Sequence, residues 1–249
     1  DLARYSEAQP ILKKAIELDE GLAARSPDDR QVRFNLAKTR FNLGYLHLKR
    51  NRFDEAVAEI EKARDLNATL VAELPDVPRY AHLQSTYLVR LGEALDASGK
   101  PGSEPAYRGA LELLQQLTSK HPDNAGYILD LARCLGALGN QELAVGKPEE
   151  AGKDFEAEVA ELAAAGEYAG VNVTVPHKEA ALAMADAASE AARAIGAANT
   201  LSFRDGQIAA DNTDAGGLLR SLPHLPEGAN ALVLGAGGAA RAAIWGLAD

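Results

Sequence analysis

AGVNVTVPHKEAA, residues 169–181, is a β-branched run closed by a proline, set in a chain otherwise dominated by Ala, Leu and Glu. Val171, Val173 and Val175 alternate with Asn172 and Thr174, a pattern too short and too branched for a helix, so it reads as a strand that Pro176 stops. Outward from it, HKEAALAMADAASEAARAIG (177–196) places apolar residues at helical spacing and predicts one amphipathic helix ending at Gly196. NTLSFRDGQIAADNTD (199–214) predicts two strands around Asp205-Gly206, a favoured pair for a tight hairpin. A helix near GGLLRSL (216–222) and a proline-containing loop follow, and NALVLGAGGAARAAIWGLA (230–248) reads as strand, glycine turn and helix.

Upstream the chain repeats itself. SPDD at 26–29, LPDV at 74–77 and HPDN at 121–124 recur at intervals of 48 and 47 residues. Gly44, Gly92 and Gly139, each followed seven residues later by Asn51-Arg52, Gly99-Lys100 and Gly146-Lys147, keep the same step. Each unit predicts a helix starting just after Pro-Asp, with the Asp as N-cap, then a turn carrying Gly or Asn, then a second helix. Phe53, Ala56, Val57, Ile60, Ala63 and Leu66 line one face of such a helix. A helix pair cannot cover that face alone, whereas stacked pairs can, which is the logic of a solenoid. ARYSEAQPILKKAIEL (3–18) is in register with NRFDEAVAEIEKARDL (51–66), so it reads as the second helix of a unit whose first helix is missing.

Bulk properties narrow the function classes. The 249 residues are 47% hydrophobic, enough for a core of one large or two ordinary domains. A net charge of −10 and a pI near 5.1 disfavour nucleic acid and anionic membrane as partners. The single cysteine, Cys134, allows no internal disulfide and fits a reducing cytoplasm, and no apolar run reaches the roughly 18–20 residues of a membrane span. The expected localisation is cytoplasmic. The start at Asp1 and a lone methionine, Met184, suggest a piece of something longer. His47, His82, His121, His177 and His224 are scattered without ligand spacing, so no metal is expected.

The glycine turn carries chemistry of its own. Gly235 permits a sharp exit from a strand, Gly237 lets backbone approach a pyrophosphate, and Gly238 with Ala239 and Ala240 leaves room for packing at a helix N-terminus, where anions bind. Close packing alone also explains such a turn.

Two family resemblances organise these features. The Leu-Gly of the first helix and the Arg-(Phe/Tyr)-x-Glu-Ala start of the second resemble tetratricopeptide repeats over residues 1–157, with each helix of a pair lengthened by about two turns relative to the usual repeat of about 34 residues. NVTVPHK, then IGAANTL with 21 residues from lysine to asparagine, then DNTDAGG, then VLGAGGAARA resemble the shikimate dehydrogenase family over residues 158–249. The implied fold class is α plus α/β: a helical-hairpin solenoid followed by a partial α/β segment. In that segment 158–222 would be the end of a substrate domain, and 223–249 the first strand, glycine turn and helix of a Rossmann NADP domain.

The resemblance implies reduction of 3-dehydroshikimate to shikimate by NADPH, a step of aromatic amino acid biosynthesis. It makes Lys178 and Asp214 the polar pair at the reacting carbon, and Thr174 and Asn199 substrate hydrogen-bonding groups. Gly235, Ala236, Gly237, Gly238 and Ala239 would line the dinucleotide phosphates. A cationic lysine beside a carbonyl oxygen suits charge developing there during hydride transfer, and a carboxylate would hold that lysine in place. Helix-start solvation for Lys178 and helix capping for Asp214 are the plain alternatives. The family's preceding strand-helix units with their serine pair, the second nucleotide strand and the C-terminal glutamine are not found, so this fragment is expected to be inactive alone. The rival readings are a protein-binding repeat scaffold, with a peptide or protein partner on the array and an inactive enzyme remnant, and an artificial fusion.

Overall fold

The computed structural model of the chain describes residues 2–166, 168–222, 231–233 and 235–248. It divides into two compact units, Asp1–Ala151 and Gly152–Asp249.

The first unit is built from helices α1 (Leu2–Arg25), α2 (Arg30–Lys49), α3 (Phe53–Glu73), α4 (Pro78–Ser98), α5 (Ser103–Lys120) and α6 (Ala125–Ala144). The starts of α2, α4 and α6 fall at the 48- and 47-residue intervals of the sequence repeat. Capping corrects one expectation. Asp29 does cap α2, accepting from Gln31 N at 2.8 Å and Val32 N at 3.2 Å. At α4, however, Val77 holds the N-cap position and Pro78 begins the helix, where a fixed φ and a missing N–H cost nothing. At α6 the cap is Asn124, which accepts from Tyr127 N at 3.3 Å. The turns after α2 and α4 use left-handed Asn51 (φ 56°) and Gly99 (φ 67°), as the repeat requires.

Ala37 of α2, Ala56, Ile60 and Ala63 of α3, and Tyr87, Leu91 and Ala94 of α4 form one buried cluster. Fully burying a side chain the size of Ile60 or Leu91 contributes about 1.5–3 kcal/mol, so this shared core, rather than propensity, holds the pairs together. Two sequence glycines set the helix spacing. A β-carbon at Gly44 would meet Ile60 Cγ1 at 2.6 Å, and one at Gly92 would meet the Tyr107 ring at 2.5 Å. Polar ties pin the register of α3 on its neighbours. Buried Asn67 donates to Tyr80 O at 2.9 Å and Gln84 Oε1 at 2.8 Å, while Arg40 bridges Glu59 at 2.7 Å and Glu20.

Helix α7 (Pro148–Ala165) runs through the division, and the second unit continues from it with β1 (Gly170–Asn172), α8 (Lys178–Ala183), β2 (Ala187–Ala188), α9 (Glu190–Ile195), β3 (Thr200–Arg204), β4 (Gln207–Asp211), α10 (Asp214–Ser221) and α11 (Gly238–Ala248). The strands form a sheet of order β1-β3-β4-β2, antiparallel except where β2 runs parallel to β4. Asp205 (φ 50°) and Gly206 (φ 75°) both adopt the left-handed conformation a two-residue hairpin needs, and this sets the β3–β4 register of Leu201 opposite Ala210. Phe155 and Val159 of α7 pack with Val173, Ala181, Ala198, Leu201 and Ala210 into the core of this unit.

Two expectations are corrected here. The single helix over 177–196 is two short helices separated by β2. Ile208 N donates to Asp186 Oδ2 at 2.8 Å, and Asp186 N and Ser189 N donate to Ile208 O and Ala210 O, so the segment is drawn into the sheet. Ser189 then restarts the helix by accepting from Ala192 N. The strand expected over 230–234 is also not formed in Ala231–Val233, while Asn230 and Leu234 lie outside the described residues. A parallel strand needs a ladder partner, and all described strands lie within residues 170–211.

Candidate functional site

The candidate site sits in the second unit where the start of α8, the loop before β3, the start of α10 and the start of α11 converge. Lys178 opens α8, and its Nζ donates to Asp214 Oδ2 at 2.5 Å. The lysine side chain is 13% exposed and the aspartate 31%, so the pair is sheltered yet open on the carboxylate side. Asn199 Nδ2 donates to the other carboxylate oxygen, Asp214 Oδ1, at 2.8 Å. Asn199 Oδ1 in turn accepts from Thr213 N at 3.0 Å and from the Thr200 hydroxyl at 3.0 Å. The carboxylate is thus oriented by a lysine on one oxygen and an amide on the other.

Backbone bonds carry this geometry. Ala198 N donates to Lys178 O at 2.8 Å, and Val173 N to Asn199 O at 2.7 Å, fixing the start of α8 against the loop that holds Asn199. Buried Asn212 donates from Nδ2 to Ala197 O at 2.8 Å and accepts from Asp214 N at 3.1 Å. The sequence marks Asn212 and Thr213 only as members of the DNTD motif, and their bonds to Ala197, Asp214 and Asn199 emerge from the tertiary structure.

Thr174 precedes α8 on an exposed segment, and among the described residues its side chain makes no hydrogen bond. It is not drawn into the Lys178–Asp214–Asn199 network. His177 packs face to face on Phe155, ring centroids 4.5 Å apart and planes 3° apart, and burial holds its imidazole below the usual histidine range. Among the described residues no three His, Cys, Asp or Glu side chains are grouped to hold a metal ion, and none of the described helices is long and apolar enough to cross a membrane.

The glycine turn lies beside the pair. A β-carbon at Gly238 would come within 3.5 Å of Lys178 Cδ and 2.9 Å of Ala197 Cβ, so the absence of a side chain there lets α11 begin against Lys178. Arg241 of α11 fastens this contact, donating to Glu179 Oε1 at 2.6 Å and Gly196 O at 3.2 Å. Ile195, Ala197, Ala215 and Ala242, with Trp245 against them, fill the space between α9, α10 and α11. Gly235 is left-handed at φ 132°, and open space stands where a Gly237 β-carbon would be.

The profile of the shikimate dehydrogenase substrate binding domain matches residues 135–201, a span that begins upstream of residue 158, and the tetratricopeptide repeat profile matches residues 37–69, within α2 and α3. The chain resembles shikimate dehydrogenases in its later part and tetratricopeptide repeats in its first. Shikimate dehydrogenase (NADP(+)) of Brucella abortus (strain S19) is 50% identical over 117 residues, 45% of this chain and 39% of that protein. Shikimate dehydrogenase (NADP(+)) of Methylobacterium radiotolerans is 57% identical over 90 residues, 33% of this chain and 32% of the relative. The solved shikimate 5-dehydrogenase of Thermus thermophilus, in complex with NADP(H) and shikimate, is 42% identical over 39% of this chain and 37% of that one, with a TM-score of 0.36. The chain spans about two fifths of the length of the first of these curated relatives.

Proposed function

We propose that the second unit holds a shikimate-type polyhydroxy ring at Lys178, Asp214 and Asn199, and that within a complete protein this site interconverts 3-dehydroshikimate and shikimate. The observation that carries the reading is the carboxylate of Asp214 held by Lys178 Nζ at 2.5 Å and by Asn199 Nδ2 at 2.8 Å. Asp214 keeps Lys178 in place and offers an acceptor to a substrate hydroxyl. Lys178 Nζ, with three protons to give, donates to the carbonyl oxygen, stabilises the negative charge that develops on it and passes one proton to it. Asn199 orients the carboxylate, and Thr174 comes into contact once substrate lies over its exposed segment.

Gly235, Ala236, Gly237, Gly238 and Ala239 fit a pyrophosphate, because the turn is open at Gly237 and the first N–H groups of α11 have no intrahelical acceptor. A reduced nicotinamide dinucleotide bound there, NADPH by analogy with the relatives, would supply the hydride for carbonyl reduction, and its oxidised form would accept one in the reverse direction. A dinucleotide spans both halves of a nucleotide fold, so turnover is assigned to a protein that also supplies the second half. Residues 158–249 form the enzyme-like part in this reading, and residues 1–157 the repeat array.

The test is an NMR titration of the 249-residue chain with shikimate, beside an assay of NADP-dependent shikimate oxidation. Saturable binding that Lys178→Ala and Asp214→Ala abolish supports the site. Absence of binding, or binding indifferent to both substitutions, refutes it, and turnover by the chain as it stands would refute the need for a second half.

A second reading is favoured by the repeat match at 37–69: the array binds a peptide or protein partner and the enzyme-like part is inert. Peptide capture that survives deletion of residues 158–249 supports it.

A further inference from the structure

Two aromatic rings of α2 are each flanked by one lysine and one arginine. Lys38 Nζ lies 5.6 Å from the centroid of the Phe34 ring and the Arg79 guanidinium 3.8 Å from it. Lys49 Nζ lies 5.1 Å from the Tyr45 ring and the Arg90 guanidinium 5.6 Å from it. In both cradles the lysine follows its ring by four residues on α2, and the arginine comes from α4, at the same offset of 45 residues from the ring. The rings are 11 residues apart, three helical turns, so the cradles stand about 16 Å apart along α2. Exposed Asn42 lies on α2 between them.

Among the described residues Lys38, Lys49 and Arg79 have no carboxylate partner, although the chain carries a net charge of −10. Arg90 is held by Glu93 at 2.6 Å, which leaves the Phe34 cradle the more electropositive of the two. A guanidinium held over a ring still has N–H groups to offer a carboxylate. Phe34 is only 2% exposed, so it offers no face on which a nucleic acid base could stack.

We propose that the face formed by α2 and α4 docks an extended acidic segment of a partner protein, with carboxylates about five residues apart seated in the two cradles. The spacing follows because an extended chain advances about 3.3 Å per residue and the cradles are about 16 Å apart. Charge complementarity supplies the selectivity and Asn42 a hydrogen bond to the peptide backbone between the two anchors. The inference rests on the reading of the repeat array as a protein-binding surface and names the chemistry of what it binds.

The experiment is fluorescence anisotropy of the full 249-residue chain with labelled peptides EESGSEE, SEEEEGS and KKSGSKK and with a dT oligonucleotide. EESGSEE is expected to bind saturably, more weakly at high salt, and more tightly than SEEEEGS, which has the same composition. Lys38→Glu with Arg79→Glu should weaken it by about tenfold or more, and Lys49→Glu by less, while Lys13→Glu on α1 leaves it unchanged. Circular dichroism confirms that these surface variants stay folded. Equal binding by the double variant, no saturable binding by the parent chain, or tighter binding of the oligonucleotide overturns the proposal. Preference for KKSGSKK overturns the acidic selectivity and leaves the array a peptide-binding surface.

Discussion

Gly238 at the start of α11 faces Ala197 so closely that a β-carbon at 238 would stand 2.9 Å from the Ala197 β-carbon. Gly238→Ala should therefore push α11 away from Lys178 and cost about 1–3 kcal/mol, the usual range for overpacking a filled site. Trp245, the chain's one tryptophan, packs in the same cluster and reports the change by its fluorescence during urea unfolding. Ala197→Gly in the same chain should restore most of the loss, and failure to do so would locate the strain elsewhere.

Asn212 joins the loop of Ala197 to the backbone of Asp214 from a buried position. Asn212→Ala leaves Ala197 O and Asp214 N without these partners, at about 1–3 kcal/mol for each buried group left unsatisfied. Asn212→Asp keeps an acceptor for Asp214 N but turns a carboxylate toward the carbonyl of Ala197. Both variants should lower the urea midpoint of the second unit, and an unchanged midpoint would show that the two bonds carry no weight.

Burial lowers the pKa of His177, so the folded chain binds fewer protons at this ring than the unfolded chain does. Its stabilising contribution is complete above about pH 6.5, the unfolded value, and is lost as pH falls through the lower folded value. His177→Phe preserves the stack on Phe155 and removes the titration. Thermal midpoints from about pH 8 down to about pH 5 should fall less steeply in the variant than in the parent chain, and parallel curves would count against the assignment.

Two helical glycines separate effects of opposite sign. At Gly21 of α1 a β-carbon meets nothing within 4 Å, so Gly21→Ala should stabilise by up to about 1 kcal/mol through helix propensity. At Gly92 the same change drives a β-carbon to 2.5 Å from the ring of Tyr107, itself 2% exposed and bonded through its hydroxyl to Asp96. Overpacking of about 1–3 kcal/mol outweighs the propensity gain, so Gly92→Ala should destabilise. Urea midpoints moving the same way for both variants would refute the close-approach account.

The helix pairs were legible because their period and apolar faces are local properties, and the starts of α2, α4 and α6 keep the spacing of SPDD, LPDV and HPDN. The Asp205-Gly206 hairpin was legible for the same reason, since two left-handed residues in a row are a local demand. The break inside 177–196 was not. Its apolar spacing satisfies a helix, and only the hydrogen bonds that Asp186 and Ser189 make to β4 convert the middle into β2, although both are residue types that interrupt helices. The caps were half legible: Pro-Asp marks each boundary, but whether Asp29, Val77 or Asn124 stands at the N-cap depends on where the first hydrogen-bonded turn closes.

By itself the sequence singled out Lys178, Asp214 and Asn199 as candidate site residues and placed a glycine turn after them, because residue type and order are written in it. The tertiary structure decided that Lys178 and Asp214, 36 residues apart, meet at 2.5 Å, that Thr174 stays outside their network, and that Gly238 rather than a larger residue lets α11 begin against the lysine. Those are relations between segments distant along the chain, fixed by strand pairing and close packing, and periodicity within any one segment does not contain them.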